Sequence, residues 1–187
     1  YESNLLINVE RTSNDTYFRK HNINTTLVNA ENTNLTNKIS YDYVNDDSYL
    51  NIQTNVYENL RGSTNARYEY VLPSILFGKT FFTEKYGSFD FKSNALHNNY
   101  EVNKYKTVFN NDLIWKPGKY LSANGFVSSF EGMLRNSNYK AKKTDDLKNG
   151  KTNNELNGVL AYKTSLPMKK EGSNYANFFS PNFMFRY

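Results

Sequence analysis

His21 and His97 are the only histidines of the chain, and it contains no cysteine. Zinc sites and nucleophile–base pairs draw on these residue types at characteristic spacings. Neither histidine stands at a ligand spacing, so both are expected as strand-surface residues. Serine is plentiful, but no serine lies in Gly-x-Ser-x-Gly, the elbow that exposes a nucleophile. Asp46-Asp47 and Asp145-Asp146 are paired carboxylates in polar stretches. A calcium loop needs a longer ladder of oxygen ligands, so both pairs are expected in turns. Glycine-rich phosphate loops are absent. The sequence therefore assigns no catalytic, cofactor-binding or metal-binding residue, and no enzyme activity is expected.

The informative pattern lies in the elements that would have carried such chemistry. Leu156, Gly158, Leu160, Tyr162, Thr164 and Leu166 alternate with Asn157, Val159, Ala161, Lys163 and Ser165. Leu50, Ile52, Thr54 and Val56 alternate with Asn51, Gln53, Asn55 and Tyr57. A period of two means β-strands with one apolar and one polar face. Sixteen Tyr and 13 Phe supply most of the apolar bulk. Helical periodicity is nearly absent, so the expected fold is an all-β antiparallel meander.

About ten strands are predicted. They cover Glu2–Glu10, Thr16–Val28, Asn34–Val44, Tyr49–Tyr57, Ala66–Phe77 (interrupted by Pro73), Tyr86–Leu96, Lys104–Trp115, Tyr120–Arg135, Asn154–Leu166 and Phe179–Tyr187. Asn45–Ser48 and Lys116–Lys119 are turn sequences, the latter because Pro117 presets φ and Gly118 tolerates the backbone angles of the next turn position. Gly78–Lys85 and Asn136–Asn153 are expected connections, and short and long connections are expected to alternate.

Composition decides which solvent the apolar faces meet. Hydrophobic residues make up 38% of the 187 residues and mean hydropathy is -0.77, low for a packed core. Asparagine is very abundant, at about 30 residues, far above ordinary usage. Aromatics reach 16% and the net charge is only +5, the reverse of the signature of disorder. A transmembrane β-barrel reconciles these numbers, since only alternate strand residues need be apolar. Segments of about 9–12 residues suit tilted strands crossing a bilayer. Tyr68 and Tyr70, Phe81 and Phe82, Trp115 and Tyr120, and Phe178 and Phe179 fall near strand ends, as interfacial girdles do. The lysines are scattered, with clusters at Lys140, Lys142 and Lys143 and at Lys169 and Lys170. No reading element accompanies them, so no nucleic-acid partner is expected. No apolar run is long enough for a transmembrane helix.

Four stretches carry a resemblance. Thr12-Ser13-Asn14-Asp15-Thr16-Tyr17-Phe18-Arg19-Lys20-His21 resembles a segment of the LPS-assembly protein family LptD (organic solvent tolerance protein). There an Asp-Thr-Tyr-Leu-Arg-like run begins a barrel strand. Arg67-Tyr68-Glu69-Tyr70-Val71-Leu72-Pro73 is similar to its aromatic segment ending in Leu-Pro. Asn111-Asp112-Leu113-Ile114-Trp115 resembles its next Trp-bearing strand. Phe178-Phe179-Ser180-Pro181-Asn182-Phe183-Met184-Phe185-Arg186-Tyr187 is similar to its Pro-x-x-x-x-Arg-Tyr strand. Their order also matches, closest to alphaproteobacterial members.

The resemblance implies an internal section of a very large outer-membrane barrel that inserts lipopolysaccharide into the outer leaflet of a Gram-negative bacterium. It implies an LptE-like lipoprotein plug, a periplasmic LptA-like bridge reached through an N-terminal domain absent here, and outer-membrane lipids as partners. No functional residue carries over. The chain opens on Tyr1 rather than Met, which favours a fragment. The terminal alternation Phe183, Phe185, Tyr187 instead fits a complete small barrel, either a pore or a barrel enzyme. A third reading is a soluble Asn-rich β-sheet binding protein whose apolar faces pack on each other.

Overall fold

The computed structural model describes residues 1–25, 29, 31–64 and 66–187. Ten strands form one sheet. They are β1 (Glu2–Asn8), β2 (Asn34–Val44), β3 (Ser48–Asn59), β4 (Tyr68–Thr83), β5 (Gly87–Tyr100), β6 (Lys104–Lys116), β7 (Lys119–Leu121), β8 (Val127–Lys142), β9 (Asn153–Ser165) and β12 (Asn182–Arg186). The strands β10 (Met168–Glu171) and β11 (Ala176–Phe179) pair with each other in a separate two-stranded sheet. Neighbours run β1-β2-β3-β4-β5-β6-β8-β9-β12, with β7 beside β8. The fold is an all-β antiparallel meander. Among the described residues no ladder joins β1 to β12.

The chain divides into two compact units. One comprises Tyr1–Gly78, Ser93–Asn110 and Ser137–Asn154, the other Lys79–Lys92, Asn111–Asn136 and Glu155–Tyr187. The strands β4, β5, β6 and β8 contribute residues to both.

In the first unit, antiparallel pairing sets Leu5 opposite Tyr41 and Tyr41 opposite Ile52. Ile7 faces Ile39, which faces Thr54 on its other side. Paired residues share a face, so the apolar sets of three strands align. The turn at residues 45–47 is closed by Asn45 N donating to Ser48 O at 2.8 Å and by the Asn45 amide oxygen accepting from Asp46 N at 2.8 Å. In the second unit, Phe183 pairs with Thr164 and Phe185 with Tyr162. Tyr187 and Leu160 exchange two backbone hydrogen bonds of 3.0 Å. Gly87 opens β5 with φ of +77°, and a Cβ there would overlap the Lys116 carbonyl and stand 2.6 Å from Pro117 Cα. No other residue type allows that approach.

Several expected elements differ. The predicted strand over Thr16–Val28 does not form in its described part, and Thr26, Leu27 and Val28 lie outside the described residues. Tyr17–Lys20 is instead a single helical turn, α1. Asn14 starts it, its amide oxygen accepting from Thr16 N at 3.1 Å and its carbonyl from Tyr17 N at 3.2 Å. The physical reason is that Arg19 and Lys20 put charge on both faces of that alternation, while β1 pairs directly with β2. Residues 12–21 are therefore part of the β1–β2 connection.

Pro73 does not interrupt β4, which also runs on through the expected connection at Gly78 to Thr83. The predicted strand Tyr120–Arg135 splits at residues 122–126. There Gly125 takes φ of +81° and its N–H reaches Ser122 O at 3.0 Å. The expected loop at Asn136–Asn153 shortens to residues 143–152, because Asn and Lys side chains are compatible with polar strand positions. The C-terminal strand begins at Asn182, and Phe179 belongs to β11. Short and long connections do not separate by end. One end has 9–33, 60–67, 101–103 and 143–152, the other 45–47, 84–86, 117–126 and 166–181.

Candidate functional site: two faces of opposite chemistry

Among the described residues few side chains are buried, and most of those are polar. Among the described residues the buried hydrophobic side chains are Leu35, Leu60 and Ala141. Ser40, Asn55, Asn98, Ser128 and Thr144 are also buried. Large apolar side chains lie outside. A globular core does the reverse, because burial of polar groups costs free energy and burial of apolar groups gains it.

In the first unit, Leu5 is 61% exposed, Ile39 52% and Ile52 37%. Register places these on one face. On the other face Ser40 pairs with Gln53 and Asp42 with Asn51, while Ser40 is 2% and Asn55 4% exposed. The Asn51 amide donates to Asp42 at 2.5 Å.

In the second unit the apolar face carries Phe89, Leu113, Trp115, Leu134, Leu160 and Phe183. Phe89 stacks on Trp115 with ring centroids 6.4 Å apart, and the Trp115 indole N–H donates to Tyr86 O at 2.8 Å. Gly132 and Gly158 floor an apolar groove of about 430 Å³ between Trp115, Leu134 and Leu160. The hydroxyl groups on this side are paired, with Ser128 Oγ 3.0 Å from Tyr162 Oη and 3.1 Å from Thr164 Oγ1.

The opposite face of the second unit holds the ions. Lys116 Nζ lies 2.9 Å from Asp90, which also accepts from Thr80 at 2.9 Å. Arg135 forks onto Asp112 with two bonds of 2.7 Å. A hollow of about 790 Å³ opens there, lined by Phe82, Lys116, Lys119, Glu131, Lys163 and Arg186. One strand thus presents Trp115 to one side and Lys116 to the other.

The connections carry a different device. Arg67 holds Asp15 at 2.6 and 3.0 Å and Glu58 at 2.6 and 2.9 Å. Asp15 first, then Glu58, raise the guanidinium pKa above its already high ordinary value. The clamp ties the β1–β2 connection to the β3–β4 connection. Sequence reading missed it, because only pairing register brings Asp15 and Glu58 to one arginine.

The residues considered for chemistry stay apart. His97 Nδ1 lies 2.7 Å from Thr107 Oγ1, and His21 rests against the Tyr17 ring, centroids 4.8 Å apart. Asp46 and Asp47 lie at the β2–β3 turn. Asp146 accepts from Lys106 Nζ at 3.1 Å, and that ammonium holds its carboxyl below the usual carboxylate range. Among the described residues no three metal-ligating side chains group together. No helix of the described residues is long and apolar enough to cross a membrane, which leaves crossing by strands open. No family model and no curated protein matches the chain.

Proposed function

We propose that this chain is a wall section of a transmembrane β-barrel in the outer membrane of a Gram-negative bacterium. The observation that carries the reading is the inversion of faces: large apolar side chains exposed on one side, ion pairs and buried amides on the other. Hydrocarbon is the solvent that suits the first face and an aqueous lumen the second. An open sheet edge cannot persist in lipid. In the proposed barrel the free edges of β1 and β12 are met by further strands.

The barrel proposed is the LptD type, on the strength of the four ordered stretches. Its work is to pass lipopolysaccharide to the outer leaflet without covalent chemistry. The polar face would offer the sugar headgroups hydrogen-bonding amides and ions in place of water. An LptE-like plug and an LptA-like bridge are the proposed partners. No residue of this section is proposed as a gate.

The test is depletion of the protein in its host while newly made lipopolysaccharide is followed by its reactivity to an impermeant surface label. The expected result is loss of surface labelling with accumulation at the inner membrane. Undiminished surface arrival overturns the lipopolysaccharide assignment. The barrel itself is tested separately by heat-modifiable migration in detergent, which a barrel section in its parent protein shows and an unfolded or water-soluble sheet does not.

A further inference from the structure

The net charge of the chain is concentrated at one end of two neighbouring strands. Residues 101–106 and 140–151 contain seven lysines and three carboxylates, which accounts for four of the five net positive charges. All lie in the first unit. The carboxylates Glu101 and Asp146 are taken by Lys104 at 2.7 Å and Lys106 at 3.1 Å. Lys140, Lys142, Lys143, Lys148 and Lys151 are exposed and make no ion pair among the described residues.

Their placement relative to the apolar face is the second observation. Asn138 Nδ2 reaches the Phe109 carbonyl of the adjacent strand at 3.5 Å, and Phe109 is itself exposed. Beyond Asn138 on β8, Lys140 and Lys142 are exposed on either side of buried Ala141. Two exposed residues flanking a buried one share a face. The face thus changes from exposed aromatic to amide to ammonium over a few residues. Exposed Val102 lies at the tip of the adjoining turn. Polyanion binding alone would not call for apolar neighbours. A hydrocarbon layer bounded by phosphates matches that succession, because long lysine stems run along apolar surface while their heads reach anions.

We propose that this lysine-rich end docks on the anionic phosphate headgroups of a lipid bilayer. The proposal rests on the reading of the apolar face as lipid-facing. A lysine near an anionic membrane surface changes partition by about fivefold, and the effect is screened by salt.

The test is flotation of the full chain with phosphatidylcholine vesicles and with vesicles containing phosphatidylglycerol, at low and high salt. Three proteins are compared: the unaltered chain, a variant with Lys140→Gln, Lys142→Gln, Lys143→Gln and Lys148→Gln, and a control with Lys20→Gln, Lys38→Gln, Lys85→Gln and Lys170→Gln. Phosphatidylglycerol is expected to raise the affinity of the unaltered chain and the control at least tenfold at low salt. The first variant is expected to lose that gain while keeping its affinity for neutral vesicles. Equal affinity for the two vesicle types overturns the proposal. So does an equal loss in variant and control, which would make the effect one of net charge. Quenching of Trp115, the single tryptophan, by brominated acyl chains in neutral vesicles reports the apolar face independently. Quenching without a phosphatidylglycerol effect overturns the docking alone. A variant-sensitive phosphatidylglycerol effect without quenching overturns the barrel reading and leaves the docking standing.

Discussion

The Tyr49 ring packs against Gly78. A Cβ on that glycine would overlap Cε1 and Cζ of Tyr49 and stand 2.8 Å from its Oη. Tyr49 belongs to β3 and Gly78 to β4, and the tyrosine covers backbone that would otherwise be bare. The face concerned is the polar one, since Tyr49 shares it with Asn51, Gln53 and Asn55. Gly78→Val is expected to destabilise the sheet by about 1–3 kcal/mol, the ordinary cost of overpacking. Tyr49→Ala in the same background should recover part of that loss. Urea unfolding of the two single variants and the double variant measures the coupling, and strictly additive effects would show that the ring does not depend on the glycine.

The strand Asn34–Val44 and the start of the strand at Lys104 were legible in sequence, because Ile39, Tyr41 and Tyr43 share one parity in the first, Tyr105, Thr107 and Phe109 share one in the second, and an asparagine bounds each. The two faces of β9 were legible for the same reason, and pairing with β12 places Tyr162 beside Phe185 as the alternation requires. Three features were hidden. Local chemistry decided residues 14–20, where the Asn14 side chain closes a turn that competes with a strand. Polar composition concealed the last part of β8, since Asn136, Asn138 and Lys140 read as a loop although amides suit a strand with one wet face. The Asn124-Gly125 turn, which splits the predicted eighth strand, was overlooked although that dipeptide is a strong turn signal. Of the two faces, the apolar set was readable because parity is local. The ion pairs Asp90–Lys116 and Asp112–Arg135 were not, because register across strands is not written in any one segment.

Arg67 tethers the β1–β2 connection through Asp15 while Glu58 of β3 holds the same guanidinium. Arg67→Lys keeps the charge but supplies a point donor in place of a planar fork. Amide hydrogen exchange is expected to speed up at residues 14–22 in that variant while exchange in β6 stays unchanged. Arg67→Met should give the same pattern, more strongly. Unaltered exchange at residues 14–22 in both variants would mean that the α1 turn is held by its own hydrogen bonds.

The link between Lys106 and the connection at residues 143–152 is predicted to be pH-sensitive on the acid side. Asp146 has its carboxyl pKa lowered by the Lys106 ammonium. A lowered folded-state pKa contributes stability that is fully present above the unfolded value and is lost as pH falls through the folded one. The window therefore lies from about pH 4 downwards. Exchange at residues 143–149, taken relative to the intrinsic amide rate at each pH, should accelerate in that window and become pH-independent in Asp146→Asn. Acceleration that persists in Asp146→Asn would assign the sensitivity to another carboxylate.

Leu134 and Met133 are consecutive on β8 and alternate between the two faces, so the same substitution at each asks which solvent each face meets. Leu134 is 53% exposed. If that exposure is to water, Leu134→Lys falls among surface changes worth within about 0.5 kcal/mol. In the barrel proposed here the side chain meets hydrocarbon, and a lysine near the bilayer midplane costs about 2–4 kcal/mol. Met133 shares its face with Glu131 and Arg135, where an added ammonium finds a carboxylate neighbour. The expected outcome is that Leu134→Lys folds into vesicles with a large loss of stability while Met133→Lys changes it little. The order should vanish when both variants are unfolded from short-chain detergent, where an ammonium can reach water. Equal, small effects in vesicles would put the Leu134 face in water, and the apolar face would then need a protein partner rather than lipid.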